Sequence, residues 1–307
     1  MIVFGCSITD PDMYDMAAGP GIKLAAEADS QVFAHGVAGS IYRSYNLLLD
    51  RAAEVEDLDA LVLVHQDSEI TDPDFCAKIR AALSDPEVGV VGACGAIGVR
   101  SIAWWEGSVT WASFIHRYYE LGGGDLPAFA WDGDLPAYAR IGEVETVDGF
   151  TLVLSPWVVR NVRFDESLGA LHGYDFDFCL SVREAGKKVV TADLKVIHHH
   201  SLDLVSNPDT WIAAHMAIAE KWDGRMPGVG TAPGDWKERA RHAEALAECN
   251  KALQVAANLK YNALAAQHQR DLELTTTSIS WRITAPLRKL NAARRRLLGQ
   301  PLEPASS

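Results

Sequence analysis

Apolar and polar positions alternate in blocks along the first hundred residues of the chain. Short apolar runs bounded by turn residues are typical of buried strands, which we expect at 1–8, 31–35, 58–64 and 88–94. Apolar residues at helical spacing over 40–53, and an Asp-Pro start at Asp72 leading to about Leu83, predict two helices. Strands that alternate with helices predict an α/β fold, in which a mostly parallel sheet is flanked by helices.

Residues 100–145 break this pattern, because they are rich in Trp, Tyr, Gly and Pro and have no clean period. We expect an irregular excursion there that can line a binding site. The regular pattern then returns, and it predicts a strand at 150–155, a helix at 175–185, one or two strands at 188–197 and a short helix at 208–222.

A Pro- and Gly-rich stretch at 226–234 predicts a linker after a domain that spans 1–225. Beyond it, residues 235–274 are rich in Ala, Glu, Lys and Leu and contain no Gly or Pro, which predicts one long helix. Its heptad pattern is imperfect, so we expect a packing helix or a homodimer contact rather than a strong coiled coil. The C-terminal region, 235–307, ends in a basic amphipathic tail at 278–298.

Composition and charge narrow the class of protein. The 307 residues are 48% hydrophobic and 22% charged, as in an ordinary globular protein, and the net charge of −13 argues against a nucleic-acid partner. Five cysteines without a Cys-x-x-Cys pair suggest reduced thiols and a cytoplasmic protein. We expect no signal peptide, because the first residues are not basic, and no membrane span, because no apolar run reaches ~18–20 residues.

Residues with metal-binding chemistry follow the apolar run at 58–64. His65, Gln66 and Asp67 stand at its carboxyl end, where open α/β sheets bind ligands. An Asp at such a strand tip can hold a divalent metal, and the metal can hold a diphosphate. The alternative is a loop carboxylate that caps the next turn.

Two further groups of residues carry candidate chemistry. Asp175 opens a helix, where it can act as a general base on a hydroxyl or only favour the helix dipole. His198–His200 end the last predicted strand; because strand neighbours alternate sides, one or two of them can be metal ligands, and the alternative is a polar strand end. The pair Trp104-Trp105 can form an aromatic platform for a sugar ring or belong to the core.

Taken in order, these segments resemble GT-A-fold glycosyltransferases of the family 2 type, in the branch with His-Gln-Asp at the metal-site position. The resemblance covers residues 1 to about 205 and the tail. The matching segments are Cys6-Ser7, Ser44–Leu47, LVLVHQD ending at Asp67, Trp104-Trp105, Val147–Phe150, Phe164–Glu166, GYDFDFCLSVREAGKKV from Gly173, His199–Ser201, and the S-x-S-W-R-x-T-x-P-L-R motif from Ser278, which is similar to the ends of many bacterial surface-polysaccharide glycosyltransferases.

The resemblance implies a role for each matched position. Asp67 would hold Mn²⁺ or Mg²⁺ on the donor's diphosphate, with His199 as a second ligand and His200 as the close alternative. Asp175 would be the catalytic base. The donor-binding residues would be Cys6, Ser7, Asp29, Asn46, His65 and Gln66, and the acceptor-binding residues Trp104, Trp105, Gly149 and Tyr174.

Two of these positions depart from the family pattern. His65 stands where relatives keep the first Asp of Asp-x-Asp, so its role is open between the ribose and the metal. Tyr174 replaces the Glu of a Glu-Asp pair.

The implied reaction is an inverting, metal-dependent transfer of a hexosyl or deoxyhexosyl group in cell-surface polysaccharide synthesis. The donor would be a UDP-, dTDP- or GDP-linked sugar, and the acceptor a hydroxyl of a glycan or of a lipid-linked glycan. Two alternatives stay open: a metal-dependent hydrolase built on His65, Asp67 and His198–His200, and a non-catalytic protein that binds nucleotide sugars. The tail at 278–298 is expected on the inner face of the cell membrane, or packed on the acidic domain or a dimer partner.

Overall fold

The structure is a computed structural model that describes residues 1–99, 101–104, 107–111, 114–118, 124–127, 142–200, 207–225 and 236–297. The chain divides into two compact units, Met1–Ala232 and Pro233–Ser307. The predicted linker at 226–234 lies outside the described residues, so the domain limits given above stay a prediction.

Three sheets build the first unit. In the described residues its strands are β1 (Ile2–Ile8), β2 (Gln31–Gly36), β3 (Ala60–Val64), β4 (Ser68–Ile70), β5 (Val88–Gly92), β6 (Cys94–Ile97), β7 (Ser108–Trp111), β8 (Phe114–Tyr118), β9 (Gly124–Pro127), β10 (Glu143–Val144), β11 (Thr146–Val147), β12 (Thr151–Leu154), β13 (Lys188–Thr191) and β14 (Val196–His200).

The central sheet has seven strands in the order β10-β13-β5-β12-β3-β1-β2. Strands β1, β2 and β3 are parallel, β13 is parallel to β5, and β12 runs antiparallel between β3 and β5. All five residues of β3 are buried, which is why this run is apolar throughout. The predicted mostly parallel sheet flanked by helices is confirmed.

The antiparallel strand β12 decides which residues lie near the carboxyl end of β3. Its first residue, Thr151, pairs with Val64, the last residue of β3. The loop that precedes β12 therefore lies beside the residues that follow β3, and the His65 amide donates to the Phe150 carbonyl at 2.9 Å.

Two small sheets cover this edge, in the orders β11-β6-β7 and β4-β14-β8-β9. Part of the stretch 100–145 thus forms strands β7, β8 and β9 rather than the irregular excursion expected, and much of the rest lies outside the described residues. Strand β14 is antiparallel to β4, and His198 pairs with Ser68. That register brings the end of β14 back to the residues that follow β3.

The helices of the described part of the first unit are α1 (Pro11–Met16), α2 (Ala18–Ala25), α3 (Ile41–Ala53), α4 (Phe75–Ala82), α5 (Pro156–Asn161), α6 (Tyr174–Glu184) and α7 (Pro208–Trp222). The apolar pattern anticipates α3, α6 and α7, but predicts no helix between the first two strands, where α1 and α2 occur. Gly19, Pro20 and Gly21 look like helix breakers, yet a Cβ on Gly21 would come within 2.4 Å of the Ile70 amide nitrogen. This segment therefore keeps its glycine for close packing on β4.

Helix α4 starts later than predicted. Asp72 does not cap the helix from the expected position; its carboxylate accepts from the Asp74 amide at 3.0 Å and pairs with Lys78. The helix begins at Phe75.

The second unit consists, in its described residues, of α8 (Trp236–Thr277), α9 (Ile279–Ile283) and α10 (Ala285–Leu297). The predicted long helix is present, and the basic tail is helical. Among the helices of the described residues, none is both long and apolar enough to cross a bilayer.

Candidate active site

Three side chains with metal-ligating atoms meet at the carboxyl edge of the central sheet. His65 and Asp67 follow β3, and His198 comes from β14, so that one ligand atom of each lies within 4.8 Å of the others. Asp67 Oδ1 is 3.7 Å from His65 Nδ1 and 3.5 Å from His198 Nε2. The register between β14 and β4 brings His198 to the two residues that follow β3.

The structure brings one of the three histidines, and not the one that the resemblance favours, next to Asp67. His198, not His199, faces Asp67, because neighbouring residues of a strand point to opposite sides. His199 turns to Glu69, with 2.8 Å between Nε2 and Oε2, and its amide donates to the Asp67 carbonyl at 2.8 Å. His200 ends β14, and its side chain lies outside the described part of the structure.

The donor set suits a divalent metal. Two imidazole nitrogens and one carboxylate oxygen are ligands for Mn²⁺, Zn²⁺ and related ions. Burial lowers the pKa of His65 to about 4, so this imidazole is neutral and able to ligate at neutral pH. Burial alone would lower the pKa of His198 too, but the carboxylates of Asp67 and Asp148 raise it overall. The Asp67 side chain is 26% exposed, whereas its Oδ1, the oxygen nearest both histidines, is buried.

Tyr174 connects this group to helix α6. Its hydroxyl lies 2.5 Å from His65 Nε2, and it packs directly over Gly149, where a Cβ would come within 2.1 Å of the hydroxyl oxygen. On the other side of the group, Phe150 stacks on His198 with 4.7 Å between ring centroids. The loop before β12 therefore touches both histidines.

Asp175 lies next to Tyr174 and is held by the backbone. The Gly149 amide donates to its Oδ2 at 2.9 Å and the Phe176 amide to its Oδ1 at 2.9 Å. Burial, followed by the nearby carboxyl of Asp148, raises the pKa of Asp175 to about 7. A carboxyl group with that pKa is suited to accept a proton at neutral pH.

Asp148 is a functional candidate to which the sequence assigned no role. Its Oδ1 accepts from the Phe150 amide at 3.2 Å, and Trp104 donates a side-chain hydrogen bond to it. Burial raises its pKa, against the influence of His198. The sequence includes it in the matching segment Val147–Phe150 but gives it no role, because that role comes from lying beside Asp175 and His198.

The side chains of two predicted donor-binding residues form hydrogen bonds with the protein's own backbone. Gln66 Oε1 accepts from the amides of Thr9 and Asp10 at 2.7 and 2.8 Å. The side-chain Nδ2 of Asn46 donates to the Phe164 carbonyl, and its Oδ1 accepts from the Phe164 amide, each at 2.9 Å. Both side chains anchor loops at this edge of the sheet.

The other predicted binding residues lie at different distances from this site. Cys6 is buried in β1, where burial raises its thiol pKa to about 12, and the half-buried Ser7 lies near the carboxyl end of that strand. Asp29 is exposed and precedes β2 at the opposite, amino edge of the sheet, so the structure does not bring it to the site. Trp104 is buried and contacts Asp148, whereas Trp105 lies outside the described residues.

Comparison with known proteins assigns the family. A family model described as "Glycosyltransferase like family" matches residues 7–218, more than half of the chain. The chain belongs to this family. In accord with that, it is 30% identical over 208 residues to the streptomycin biosynthesis protein StrF of Streptomyces griseus, covering 66% of this chain and 67% of that protein. The protein is a family 2-like glycosyltransferase, as its sequence motifs suggested.

Solved glycosyltransferase structures are similar at low identity. The mannosyltransferase PcManGT of Pyrobaculum calidifontis, in complex with GDP-Man and Mn²⁺, has a TM-score of 0.47 and 14% identity, covering 98% of this chain and 87% of that one. GalNAc-T7 with UDP, GalNAc and Mn²⁺ has a TM-score of 0.42 and 10% identity, covering 65% and 44%.

Proposed function

We propose that this glycosyltransferase moves a sugar from a nucleoside-diphosphate donor to a hydroxyl of its acceptor, with inversion and with the help of a divalent metal. One observation carries the proposal. Metal-ligating side chains and the half-buried Asp175, whose pKa is raised, contact the same loop, Asp148–Phe150, at the carboxyl edge of the sheet. That edge is where open α/β sheets bind nucleotides.

The roles of the residues follow from their surroundings. Asp67 and His198 would hold Mn²⁺ or Mg²⁺, which supplies positive charge to a departing diphosphate. Asp175 accepts the proton of the acceptor hydroxyl, because its pKa of about 7 keeps a useful fraction ionised while leaving it basic. The amides of Gly149 and Phe176 hold its oxygens in place.

The donor and acceptor are proposed by class. We infer a UDP-, dTDP- or GDP-linked hexose or deoxyhexose, with Ser7 at the end of β1 near the nucleotide. For the acceptor we favour a glycan or lipid-linked glycan of the cell surface, which the tail motif supports. The relationship to StrF supports a small natural product as the other acceptor class, and a transfer assay with both classes decides between them.

The test is a thermal-shift screen of UDP, GDP, dTDP and CMP, each with and without Mn²⁺. Ligands that bind only the folded state raise the midpoint by mass action. We expect one nucleoside diphosphate to stabilise the protein only when Mn²⁺ is present, and the shift to be lost in Asp67→Asn. If none of the nucleotides shifts the midpoint under either condition, the proposal is wrong.

A hydrolase is the second candidate, because two histidines and one carboxylate also form the protein ligands of catalytic zinc sites. It predicts tight zinc binding, turnover of a phosphate or acyl ester, and no stabilisation by nucleotides. Zinc that is bound without nucleotide and supports such turnover would favour it over the transferase.

We further propose a cytoplasmic location with the tail docked on an anionic membrane surface. Ile279, Ile283, Leu287 and Leu290 are each about two thirds or more exposed. Six cations and no carboxylate lie between Arg282 and Arg296. Exposed apolar residues beside cations are typical of interfacial helices, and a lipid-linked acceptor would make this contact useful.

A further inference from the structure

A histidine of the candidate metal group contacts the first residue of α6. The His65 Nε2 and the Tyr174 hydroxyl are 2.5 Å apart. The residues are 109 positions apart in sequence, so a hydrogen bond between them is not a local effect.

Tyr174 is held in place by its surroundings. Its ring packs edge-on against Tyr42 and Tyr45, with centroids 6.1 and 5.6 Å away. Its hydroxyl packs against Gly149, where a Cβ would come within 2.1 Å of the hydroxyl oxygen. The hydroxyl can therefore fix the orientation of the His65 ring.

This orientation points the other ring nitrogen of His65 at the carboxylate of Asp67. The distance between Nδ1 and Oδ1 is 3.7 Å, and His198 Nε2, which hydrogen-bonds to the Asp67 carboxylate, lies 3.5 Å from the same oxygen. Two ligand atoms each about 2.1 Å from one ion stand roughly 3.0–4.2 Å apart, depending on the angle between them. Both separations fall in that range.

We propose that His65 Nδ1 is a third protein ligand of the metal, and that Tyr174 positions it by accepting the Nε2 proton. This inference rests on the proposed metal-dependent function. In neutral imidazole one nitrogen carries a proton and the other a lone pair. If Nε2–H donates to Tyr174, the lone pair on Nδ1 faces Asp67, and a hydrogen-bonded partner of this kind is what orients most ligating histidines.

The proposal sets the metal preference of the site. Mg²⁺ favours oxygen ligands, whereas Mn²⁺, Co²⁺ and Zn²⁺ accept imidazole nitrogen. With two nitrogens and one oxygen, the site is expected to bind Mn²⁺ or Co²⁺ more tightly than Mg²⁺ even in the absence of nucleotide.

The experiment counts nitrogen ligands on the whole chain. The protein is stripped of metal and loaded with Mn²⁺, and pulsed EPR measures the coupling to coordinated imidazole nitrogen. We expect two nitrogens in the wild type and one in His65→Gln. A count of one in the wild type overturns the proposal, and this reading does not depend on whether a variant folds.

Metal affinity tests the positioning role of Tyr174. We expect Tyr174→Phe to weaken Mn²⁺ binding by about 10–100-fold, the usual cost of losing a partner of a ligating histidine. Tyr42→Phe is the matched control: its hydroxyl donates to the His172 carbonyl at 2.8 Å, in the same aromatic cluster but without contact to His65. Equal Mn²⁺ affinities of Tyr174→Phe and Tyr42→Phe would overturn the role of Tyr174.

The outcomes separate this inference from the proposed function. If Asp67→Asn loses Mn²⁺ while His65→Gln binds it like the wild type, the metal site stands and the role of His65 is wrong. If the wild type binds neither Mn²⁺ nor Co²⁺, with or without nucleoside diphosphate, the proposed function itself fails.

Discussion

Asp148 and Asp175 are two carboxyl groups on either side of Gly149, and each changes what the other can do. Burial is the main reason that the pKa of Asp175 is raised, and the like charge of Asp148 adds to it. A carboxyl group at an ordinary pKa would be a weak base toward a hydroxyl. At the scale of single residues, the basicity of Asp175 therefore comes first from burial and second from Asp148.

The first prediction concerns Asp175 as the base. Because its pKa is about 7, the carboxyl is protonated below that pH, so kcat/KM should rise as the pH passes through about 7. Asp175→Asn should lower kcat by about 10²–10⁴-fold and leave nucleotide binding intact. Activity of the variant close to that of the wild type, with unchanged binding, would contradict the assignment.

The second prediction concerns Asp148. Asp148→Asn removes the like charge beside Asp175, so the pKa of Asp175 falls and the acid limb of the kcat/KM profile moves to lower pH. The profile of the variant is measured against that of the wild type under the same metal concentration. An acid limb that stays in place or moves upward would show that Asp148 does not act in this way.

At the scale of elements, α6 carries Tyr174 and Asp175 in its first turn, and α7 packs against α6. The carboxylate of Asp177, which is buried in α6, accepts from the Trp222 indole at 2.7 Å and pairs with Lys221 at 2.8 Å. Gly173 begins α6 with φ of +75°, and a Cβ there would come within 2.4 Å of Ile218. Packing against α7 thus sets where the helix starts, and with it the position of the candidate base.

The third prediction tests this anchor. Asp177→Ala leaves the buried Trp222 indole without its acceptor, so the free energy of unfolding should fall by about 1–3 kcal/mol. Glu184→Ala is the control on the same helix, because Glu184 pairs with Arg225 at the surface, where such pairs contribute about 0–1 kcal/mol. Urea denaturation measures both, and equal losses would contradict the anchoring role.

At the scale of the whole molecule, an acidic chain ends in a basic helical segment. The net charge is −13, yet the tail from Arg282 to Arg296 carries only cations. Arg288 stacks on Trp281 at 3.6 Å and donates to its carbonyl at 2.5 Å, which links α10 to α9. The apolar residues of these two helices stay exposed beside the cations.

The fourth prediction tests membrane docking by the tail. Truncation at about residue 275 should abolish co-sedimentation with vesicles that contain anionic lipid, and added salt should weaken binding of the full chain. Ile283→Ser with Leu287→Ser keeps every charge and should also reduce binding, because it removes apolar contact. Pelleting of the truncated protein at the level of the full chain would contradict the proposal, and analytical ultracentrifugation of both would show whether the region forms a dimer instead.

The sequence by itself determined the strands and helices whose patterns are strong, and the family. Apolar runs predict β1, β3 and β5 because a strand covered on both faces needs apolar residues throughout, and α3 and α8 follow from periodicity and composition in the same way. The sequence did not predict α1 and α2, because a glycine required for close packing cannot be told from a glycine required for a turn. The motifs around Asp67 and Asp175 likewise identified the family without the fold.

Only the tertiary structure decided which side chains meet. The pairing of β14 with β4 selects His198 over His199, since one step along a strand reverses the side to which a residue points. The antiparallel insertion of β12 brings Asp148 and Gly149 to the candidate base, and the approach of α6 to β3 joins Tyr174 to His65. Such contacts link residues far apart in sequence, and pattern and spacing carry no information about them.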